Sequence, residues 1–215
     1  MKKHFPHVLC VISGIIAGII ISGVLYATTG FSLFGGVREN PAPSSDLSNS
    51  ELAALAFGVL GHISEGDFKA LSQIAHPELG IVFSPCATIT LATNKCFQAE
   101  QIALFGTDTN LYVWGVYTGS GEPIELTPAD YFAGFVFDRD YSAASVIGIN
   151  YIVRSGNALE NITDVLTDIQ FVDFYIAGSE KEGSEDNDWS ILRLGFEEFE
   201  GNLFLTVILR SEWLA

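Results

Sequence analysis

The spacing of apolar residues predicts two helices directly after residue 47. The segment LAALAFGVLGHI has apolar positions at helical intervals, and Ser48-Asn49-Ser50-Glu51 in front of it has the form of a capping box. Gly66 should end this helix, and Asp67 is the expected N-cap of a shorter one, FKALSQIA. The second helix should end at His76-Pro77, because the residue before a proline is pushed out of the α region.

Extended segments are predicted for most of the remaining chain. GIVFSP and LYVWGVYT are expected to be strands, with a short helix over residues 97–104 between them. Three β-rich runs follow towards the C-terminus, IQFVDFYIAG, WSILRLGFEEF and NLFLTVILRSEW, with a tight hairpin at Glu200-Gly201-Asn202. In the last run, alternation predicts that one face is shared by Leu203, Leu205, Val207 and Leu209.

Residues 114–132, WGVYTGSGEPIELTPADYF, combine glycines, acids and aromatic residues. They do not form a phosphate-binding loop, because no lysine follows the glycines and acids flank them. The pattern instead predicts a strand, a turn at Gly119-Ser120-Gly121, and a helix that begins at Pro128 after a capping threonine. Residues 142–166 are ambiguous, with a strand near 147–153 and a short helical turn after Asn157. The whole pattern predicts an α+β domain with its helices packed on one face of an antiparallel sheet.

The N-terminus predicts a membrane anchor. Residues 8–27 contain no charge, and twenty helical residues at about 1.5 Å each span a hydrocarbon core of about 30 Å. Lys2 and Lys3 in the short segment 1–7 place that end in the cytoplasm and the rest outside, so the chain is expected to be a single-pass protein of the cytoplasmic membrane. Residues 28–48 form a linker and 49–215 the outer domain. A cleaved signal peptide is the alternative.

Charge narrows the possible partners of the outer domain. Of the 10 Lys and Arg, three precede Glu39, whereas all 26 Asp and Glu lie at or after it, so residues 39–215 carry a net charge of −19. Such a surface repels nucleic acid and anionic headgroups. The expected partners are the membrane, through residues 8–27, and a small molecule or another protein. No cofactor is expected.

Two cysteines lie in the outer domain, Cys86 and Cys96. An exported domain with an even number of cysteines favours a disulfide, which over a loop of this length would stabilise by about 2–3 kcal/mol. Two buried thiols are the alternative. No metal-type spacing of cysteine and histidine accompanies the pair, and no metal site is expected.

Several segments resemble a family of exported bacterial proteins with no assigned activity. They are HPELGIVFSP at 76–85, residues 114–132, GNALENI at 156–162 and DWSILRLGFEEFEGN at 188–202, followed by the region of Trp213. The resemblance covers roughly residues 50–213, and it implies the cystatin-like α+β cone of the nuclear transport factor 2 superfamily. In such a cone a curved sheet wraps around helices and leaves a pocket.

The chain departs from this family at two places. The family's last strand tends to end in His-Asp-x-Trp-Thr, where this chain has Arg210, Ser211, Glu212, Trp213 and Leu214. An acid–base role for a histidine–aspartate pair is therefore lost. Cys86 and Cys96 also stand where the family commonly has other residues, as a private disulfide would require.

Candidate site residues come from the few polar and aromatic side chains that could face a pocket. His76 is a possible general base, with a helix-terminal capping role as the alternative. Arg193 could bind a carboxylate or stack on a flat ligand, or it could pair with Asp173 or Glu197. The remaining candidate ligand contacts are Trp114, Tyr117, Tyr175 and Trp213. No catalytic residue is assigned.

These observations favour a membrane-anchored binding or protein-interaction module outside the cytoplasm. A small hydrolase or isomerase that uses the cone pocket is one alternative, and a purely structural envelope protein is another. The enzyme hypothesis requires a pocket with a buried titratable group opposed by a polar partner, so a cone filled by its own aromatic residues would count against it. The binding hypothesis requires an open pocket or an exposed apolar patch.

Overall fold

The computed structural model describes residues 48–117, 119–178 and 188–213. The domain is α+β, with helices and a curved sheet that does not close. Its helices are α1 Asn49–Glu65, α2 Phe68–Gln73, α3 Ala99–Ile102, α4 Pro128–Tyr131 and α5 Ile162–Val165. Its strands are β1 Ile81–Ser84, β2 Lys95–Phe97, β3 Tyr112–Val116, β4 Pro123–Leu126, β5 Val146–Ile149, β6 Gln170–Ile176, β7 Ser190–Phe199 and β8 Asn202–Glu212.

The predicted anchor at residues 8–27 lies outside the described residues, as do residues 28–47 of the predicted linker. Among the residues that are described, no helix has the length and apolar character needed to cross a membrane.

The predicted starts of α1 and α2 and the predicted end of α1 are confirmed by their capping contacts, whereas α2 ends at Gln73, before the predicted end at His76-Pro77. The backbone N–H of Ser48 donates to the Glu51 carboxylate at 2.9 Å, as the capping box requires. Gly66 ends α1 in the left-handed conformation, with φ of 66°. The Asp67 carboxylate then accepts the Ala70 N–H at 2.9 Å and begins α2. Local sequence is sufficient for these features because each cap bonds within four residues of itself.

The main sheet has six strands in the order β2-β1-β8-β7-β6-β5. Its pairs are antiparallel except that β1 runs parallel to β8, with Ser84 opposite Leu209. The predicted hairpin between β7 and β8 is confirmed, and its two turn residues Glu200 and Gly201 both have positive φ, 51° and 81°. A second sheet consists of β3 and β4 alone.

The prediction that Leu203, Leu205, Val207 and Leu209 share one face is wrong. A β-bulge separates two pairings, because Phe196 lies opposite Leu205 while its neighbour Gly195 lies opposite Val207. The extra residue, Thr206, shifts the alternation by one position. Leu205 therefore packs in the core beneath the helices, and Val207 and Leu209 pack on the other side of the sheet.

Both faces of the central strands are covered. The larger core fills the helix side of the sheet, where Leu192, Leu194 and Phe196 of β7 meet α1 and the segments around β3 and α4. The opposite face packs against α5 and the irregular chain on either side of it, through Ile162 and Ile169. The expectation of helices on one face only is corrected accordingly, since α5 packs on the second face.

Short elements departed most from their predicted bounds. The helix expected over residues 97–104 is the four-residue α3, and its first predicted residue, Phe97, belongs to β2, which was not predicted. Pairing with β1 creates β2, because Phe97 lies opposite Ile81 in that hairpin. The strand expected near 147–153 is β5, which begins and ends earlier. After α4 the chain continues as a π-helical turn, Phe132–Val136.

Candidate functional site

A cleft of about 70 Å³ opens at one end of the main sheet. Because β1 and β8 are parallel, their C-terminal ends meet at this end, and the β3–β4 hairpin and the π-helical turn close around them. The cleft is lined by Pro85, Cys86, Val116, Tyr117, Ile124, Phe135 and Glu212.

Gly115 sets one wall of the cleft. A Cβ at this position would lie 2.8 Å from Cγ of Pro85, so a glycine is required for β3 to approach the end of β1 this closely. The register of the hairpin shifts between Val113 and Val116, which breaks the alternation of buried and exposed positions. Val116 and Tyr117 are consequently both exposed, at 58% and 45%, although both are apolar or aromatic and adjacent in sequence.

The inner end of the cleft rests on a stack of three aromatic rings. Trp114 and Tyr131 are stacked with centroids 3.8 Å apart, and Tyr131 stacks on Phe135 at 5.4 Å. Trp114 is fully buried, and its Nε1 donates to the Leu126 carbonyl at 3.0 Å. Burial raises the pKa of the Tyr131 hydroxyl. The stack is core, and Phe135 is the member that reaches the cleft.

Charged groups lie at the polar side of the cleft. Nη2 of Arg210 contacts Asp138 at 3.0 Å and Glu212 at 2.7 Å, and its Nη1 donates to the Gly134 carbonyl at 3.1 Å. Both carboxylates thus contact Arg210, and Asp138 also lies 3.7 Å from Nε of Arg139. Glu212 is the member of this group that lines the cleft.

Arg193 forms a buried ion network on the face of the sheet opposite α1. It lies directly across from Asp173 in the β6–β7 pair, and the two side chains make a bidentate contact of 2.5 and 2.9 Å. Its Nη1 also contacts Glu160 at 2.6 Å, and the second carboxylate oxygen of Glu160 accepts from Ser211 at 3.0 Å. Burial raises the pKa of Asp173, while the neighbouring Arg193 lowers it.

This network is structural in its geometry. Arg193 and Asp173 are completely buried, and Asp173 also accepts the Val153 N–H at 3.1 Å. Of the two roles weighed for Arg193, pairing with Asp173 is the one the structure contains, although the pair is buried and has a third member in Glu160. The network ties the segment that contains Val153 and Glu160 to the sheet.

His76 is also engaged in local structure. Its Nδ1 accepts the backbone N–H groups of Glu78 and Leu79 at 3.2 and 3.0 Å, and its ring packs edge-on against Phe199. Burial lowers the pKa of His76, which keeps the ring neutral and the acceptor available. His76 does not line the cleft.

The structure does not bring the six candidate ligand contacts together. Tyr117 lines the cleft, whereas Trp114 lies beneath it in the core. Tyr175 lies on β6, where its hydroxyl accepts from Arg154 at 3.2 Å. Trp213 directly follows β8 and is 44% exposed. The other residues that line the cleft were not predicted as ligand contacts. The sequence feature that indicates the cleft is the adjacent pair Val116-Tyr117, apolar and aromatic, directly after Gly115.

Cys86 and Cys96 are not joined by a disulfide in this structure. Cys96, on β2, lies across from Val82 of β1, and its thiol donates to the Leu79 carbonyl at 3.0 Å. The Cys86 thiol instead lies 3.7 Å from the Thr88 carbonyl and lines the cleft. The antiparallel register separates the two cysteines, because Cys96 lies opposite Val82, which is four residues before Cys86 in the chain.

Comparisons with known proteins supply no function to transfer: no family model, no curated protein and no solved structure matches the chain. The resemblance described above stays a prediction. Within the described ranges, no group of three or more His, Cys, Asp and Glu is placed to hold a metal ion. The function must be argued from the cleft and its surroundings.

Proposed function

We propose that the outer domain is a binding or protein-interaction module with a cystatin-like cone fold, held outside the cytoplasm by the N-terminal anchor. The observation that carries this proposal is an open surface cleft with an exposed apolar rim, beside an interior that is already filled. The curved, open sheet and the helices packed on it are compatible with the cone that the family resemblance implies.

The filled interior favours binding over catalysis. The space between the helices and the sheet is occupied by aromatic side chains that are completely or almost completely buried, among them Phe83, Phe97, Phe105, Trp114 and Tyr131. A cone enzyme needs room there for a substrate next to a titratable group. The buried titratable groups His76, Asp173 and Arg193 already have protein partners and do not line the cleft.

The exposed apolar rim favours a macromolecular partner. Four apolar or aromatic residues of β3 and its two ends are exposed: Leu111, Val113, Val116 and Tyr117. Trp114, in the same strand, is fully buried. Apolar side chains that are left in water along one hairpin gain free energy when a partner covers them. A partner on this hairpin would also close the cleft, which lies between the same strand and the end of β1.

Site-specific photocrosslinking tests the proposal. A photoreactive amino acid is placed at Val116 in the full-length chain expressed in cells, and a matched control carries it at Tyr151, which is 67% exposed and follows β5 at the opposite edge of the sheet. We expect a discrete crosslinked species from Val116 that is absent from Tyr151 and is lost when Tyr117 is replaced by aspartate. Equal crosslinking from both positions, or none from either, would contradict a binding role for this hairpin.

Two further measurements test the localisation and the catalytic alternative. An intact N-terminus in the membrane fraction is expected if residues 8–27 anchor the chain, whereas a mature chain beginning near residue 28 would show a cleaved signal peptide instead. A turnover activity that survives Val116→Asp and Tyr117→Asp but is lost in His76→Asn would support the enzyme hypothesis over the binding one.

A further inference from the structure

We infer that the cleft receives a single lysine side chain from a basic segment of a partner protein. This inference rests on the proposed function and deepens it by naming the chemistry that the module recognises. It is argued from four properties of the cleft: its size, its apolar walls, the carboxylate at its polar side, and the charge of the surface around it.

The size of the cleft limits its occupant to one side chain. Pockets for cofactors and drug-sized ligands enclose about 300–1,000 Å³. The cleft, at about 70 Å³, is several times smaller. A single side chain that enters from a segment lying on the surface is therefore the appropriate class of ligand, and the exposed residues of β3 would contact its neighbours.

The walls suit a long aliphatic stem. Val116, Ile124 and Pro85 are aliphatic, and Tyr117 and Phe135 add two rings whose centroids are 6.1 Å apart. The four methylene groups of a lysine would be desolvated against these surfaces while its ammonium stays at the polar rim. A cation held near the faces of Tyr117 and Phe135 is additionally attracted by the ring quadrupoles.

Glu212 supplies the acceptor for the ammonium group. Its Oε2 pairs with Nη2 of Arg210, so Oε1 is the oxygen offered to a ligand. One available oxygen matches the compact point charge of an ammonium better than the planar fork of a guanidinium, which binds carboxylates through two oxygens. Glu212 does not have Arg210 to itself, because Nη2 of Arg210 also contacts Asp138, and we infer that Glu212 can accept a second cation at the mouth of the cleft.

The surrounding surface attracts basic segments and repels a second copy of this chain. The β3–β4 hairpin, the π-helical turn and β8, which line the cleft, carry three acids, Glu122, Glu125 and Glu212, against one cation, Arg210. Residues 39–215 as a whole carry −19. Association with a basic partner should therefore be accelerated electrostatically and weakened by salt, whereas self-association through this face is opposed by like charge.

The position of Cys86 inside the cleft provides a direct assay. The full-length chain is reduced and held in mild detergent, and the alkylation rates of Cys86 and Cys96 are followed separately by peptide mass spectrometry. The probe is the blocked pentapeptide Thr-Val-Lys-Val-Thr, compared with versions that carry norleucine or arginine in the central position. Cys96 on β2 serves as an internal control, since it does not line the cleft.

We expect the lysine peptide to slow alkylation of Cys86 and not of Cys96, with weaker protection at high salt. Glu212→Gln should weaken apparent affinity at least about fivefold, the effect of losing one charge-assisted hydrogen bond. Glu65→Gln removes the same charge from the last residue of α1, which does not line the cleft, and should change affinity little. Tyr117→Ser, at a position that is 45% exposed, should also weaken protection, and circular dichroism verifies that each variant is folded.

Other outcomes separate this inference from the proposed function. Equal protection by the norleucine peptide would show that the cleft binds apolar side chains, overturning the lysine inference and leaving the binding module intact. Stronger protection by arginine would overturn the choice of lysine. If no peptide protects Cys86 but crosslinking from Val116 still depends on Tyr117, only the lysine inference is overturned. If that crosslinking is absent as well, the proposed binding function also fails.

Discussion

Replacing Arg193 with methionine removes the cation from a fully buried ion network while keeping most of the volume of the side chain. The substitution deletes two contacts to Asp173, of 2.5 and 2.9 Å, and one to Glu160 of 2.6 Å. Asp173 keeps the Val153 N–H at 3.1 Å as its remaining hydrogen-bond donor and has no access to water. The variant must therefore either bury an unpaired carboxylate or fold with a protonated one.

Two estimates of the cost agree. Removing one partner of a buried ion pair typically destabilises a protein by about 3–5 kcal/mol. Protonating an aspartate of ordinary pKa, about 3.9, at pH 7 costs about 4 kcal/mol, at about 1.4 kcal/mol for each pH unit. We expect Arg193→Met to lower the free energy of unfolding by about 3–5 kcal/mol at pH 7, and the midpoint temperature by about 6–20 °C for a domain of this size.

The second estimate also predicts a dependence on pH. Burial raises the pKa of Asp173, and in the variant the guanidinium that lowers this pKa is gone. The folded variant therefore binds a proton that the unfolded chain releases above about pH 3.9, so its stability falls as pH rises from that value through the raised folded pKa. The difference from the unsubstituted protein should shrink by more than 1 kcal/mol between about pH 7 and pH 5.

Equilibrium urea unfolding, followed by circular dichroism at several pH values, measures both effects. Arg139→Met is the matched control, because Arg139 is partly exposed and lies 3.7 Å from Asp138. A pair of this kind contributes less than about 1 kcal/mol. A penalty for Arg193→Met within about 1 kcal/mol of the control, or one that grows as pH falls, would refute the reasoning.

Three further predictions test the packing and the backbone. Both Gly66 and Gly80 have positive φ, but a Cβ at Gly80 would also overlap a backbone carbonyl oxygen of β2. In urea unfolding, Gly66→Ala should lower the free energy of unfolding by about 1 kcal/mol and Gly80→Ala by clearly more. Equal costs would contradict the close approach at Gly80. Trp114→Ala should lower the free energy of unfolding by about 3–5 kcal/mol and Trp213→Ala by less than about 1, since Trp114 is fully buried and Trp213 is half exposed; similar values for both would place Trp114 outside the core. Because burial lowers the pKa of His76, the stability that its neutral ring contributes should be present above about pH 6.5 and lost as pH falls below it. His76→Asn should flatten this part of the plot of urea midpoint against pH. An unchanged plot would contradict the role of the neutral ring as a hydrogen-bond acceptor.

Features that depend on neighbouring residues could be predicted from the sequence. The capping box at Ser48, the N-cap at Asp67 and the turn at Glu200-Gly201 were each identified because the residues that bond are within a few positions of one another. The long strands β6, β7 and β8 were likewise found from their β-rich composition. Element type was thus set locally for most of the domain.

Features that depend on distant pairing could not be found in this way. Lys95–Phe97 is a strand because β1 lies beside it, and its own three residues carry too little signal. The bulge at Thr206 reverses the facing of half of β8, although the alternating leucines continue through it without interruption. The burial of Arg193 has the same origin, since the covering segment that supplies Glu160 is irregular and has no periodicity to indicate which face it covers.

The cleft shows the same division. By itself, the sequence determined the strongly acidic character of residues 39–215, the high aromatic content of the chain and the strand–turn–helix order of residues 114–132. Only the tertiary structure decided that Trp114 is buried, that Tyr117 lies on the surface, and that Glu212 joins it across the cleft. The physical reason is that the site lies where the ends of β1, β3 and β8 meet, and the parallel pairing that brings those ends together joins residues more than a hundred positions apart along the chain.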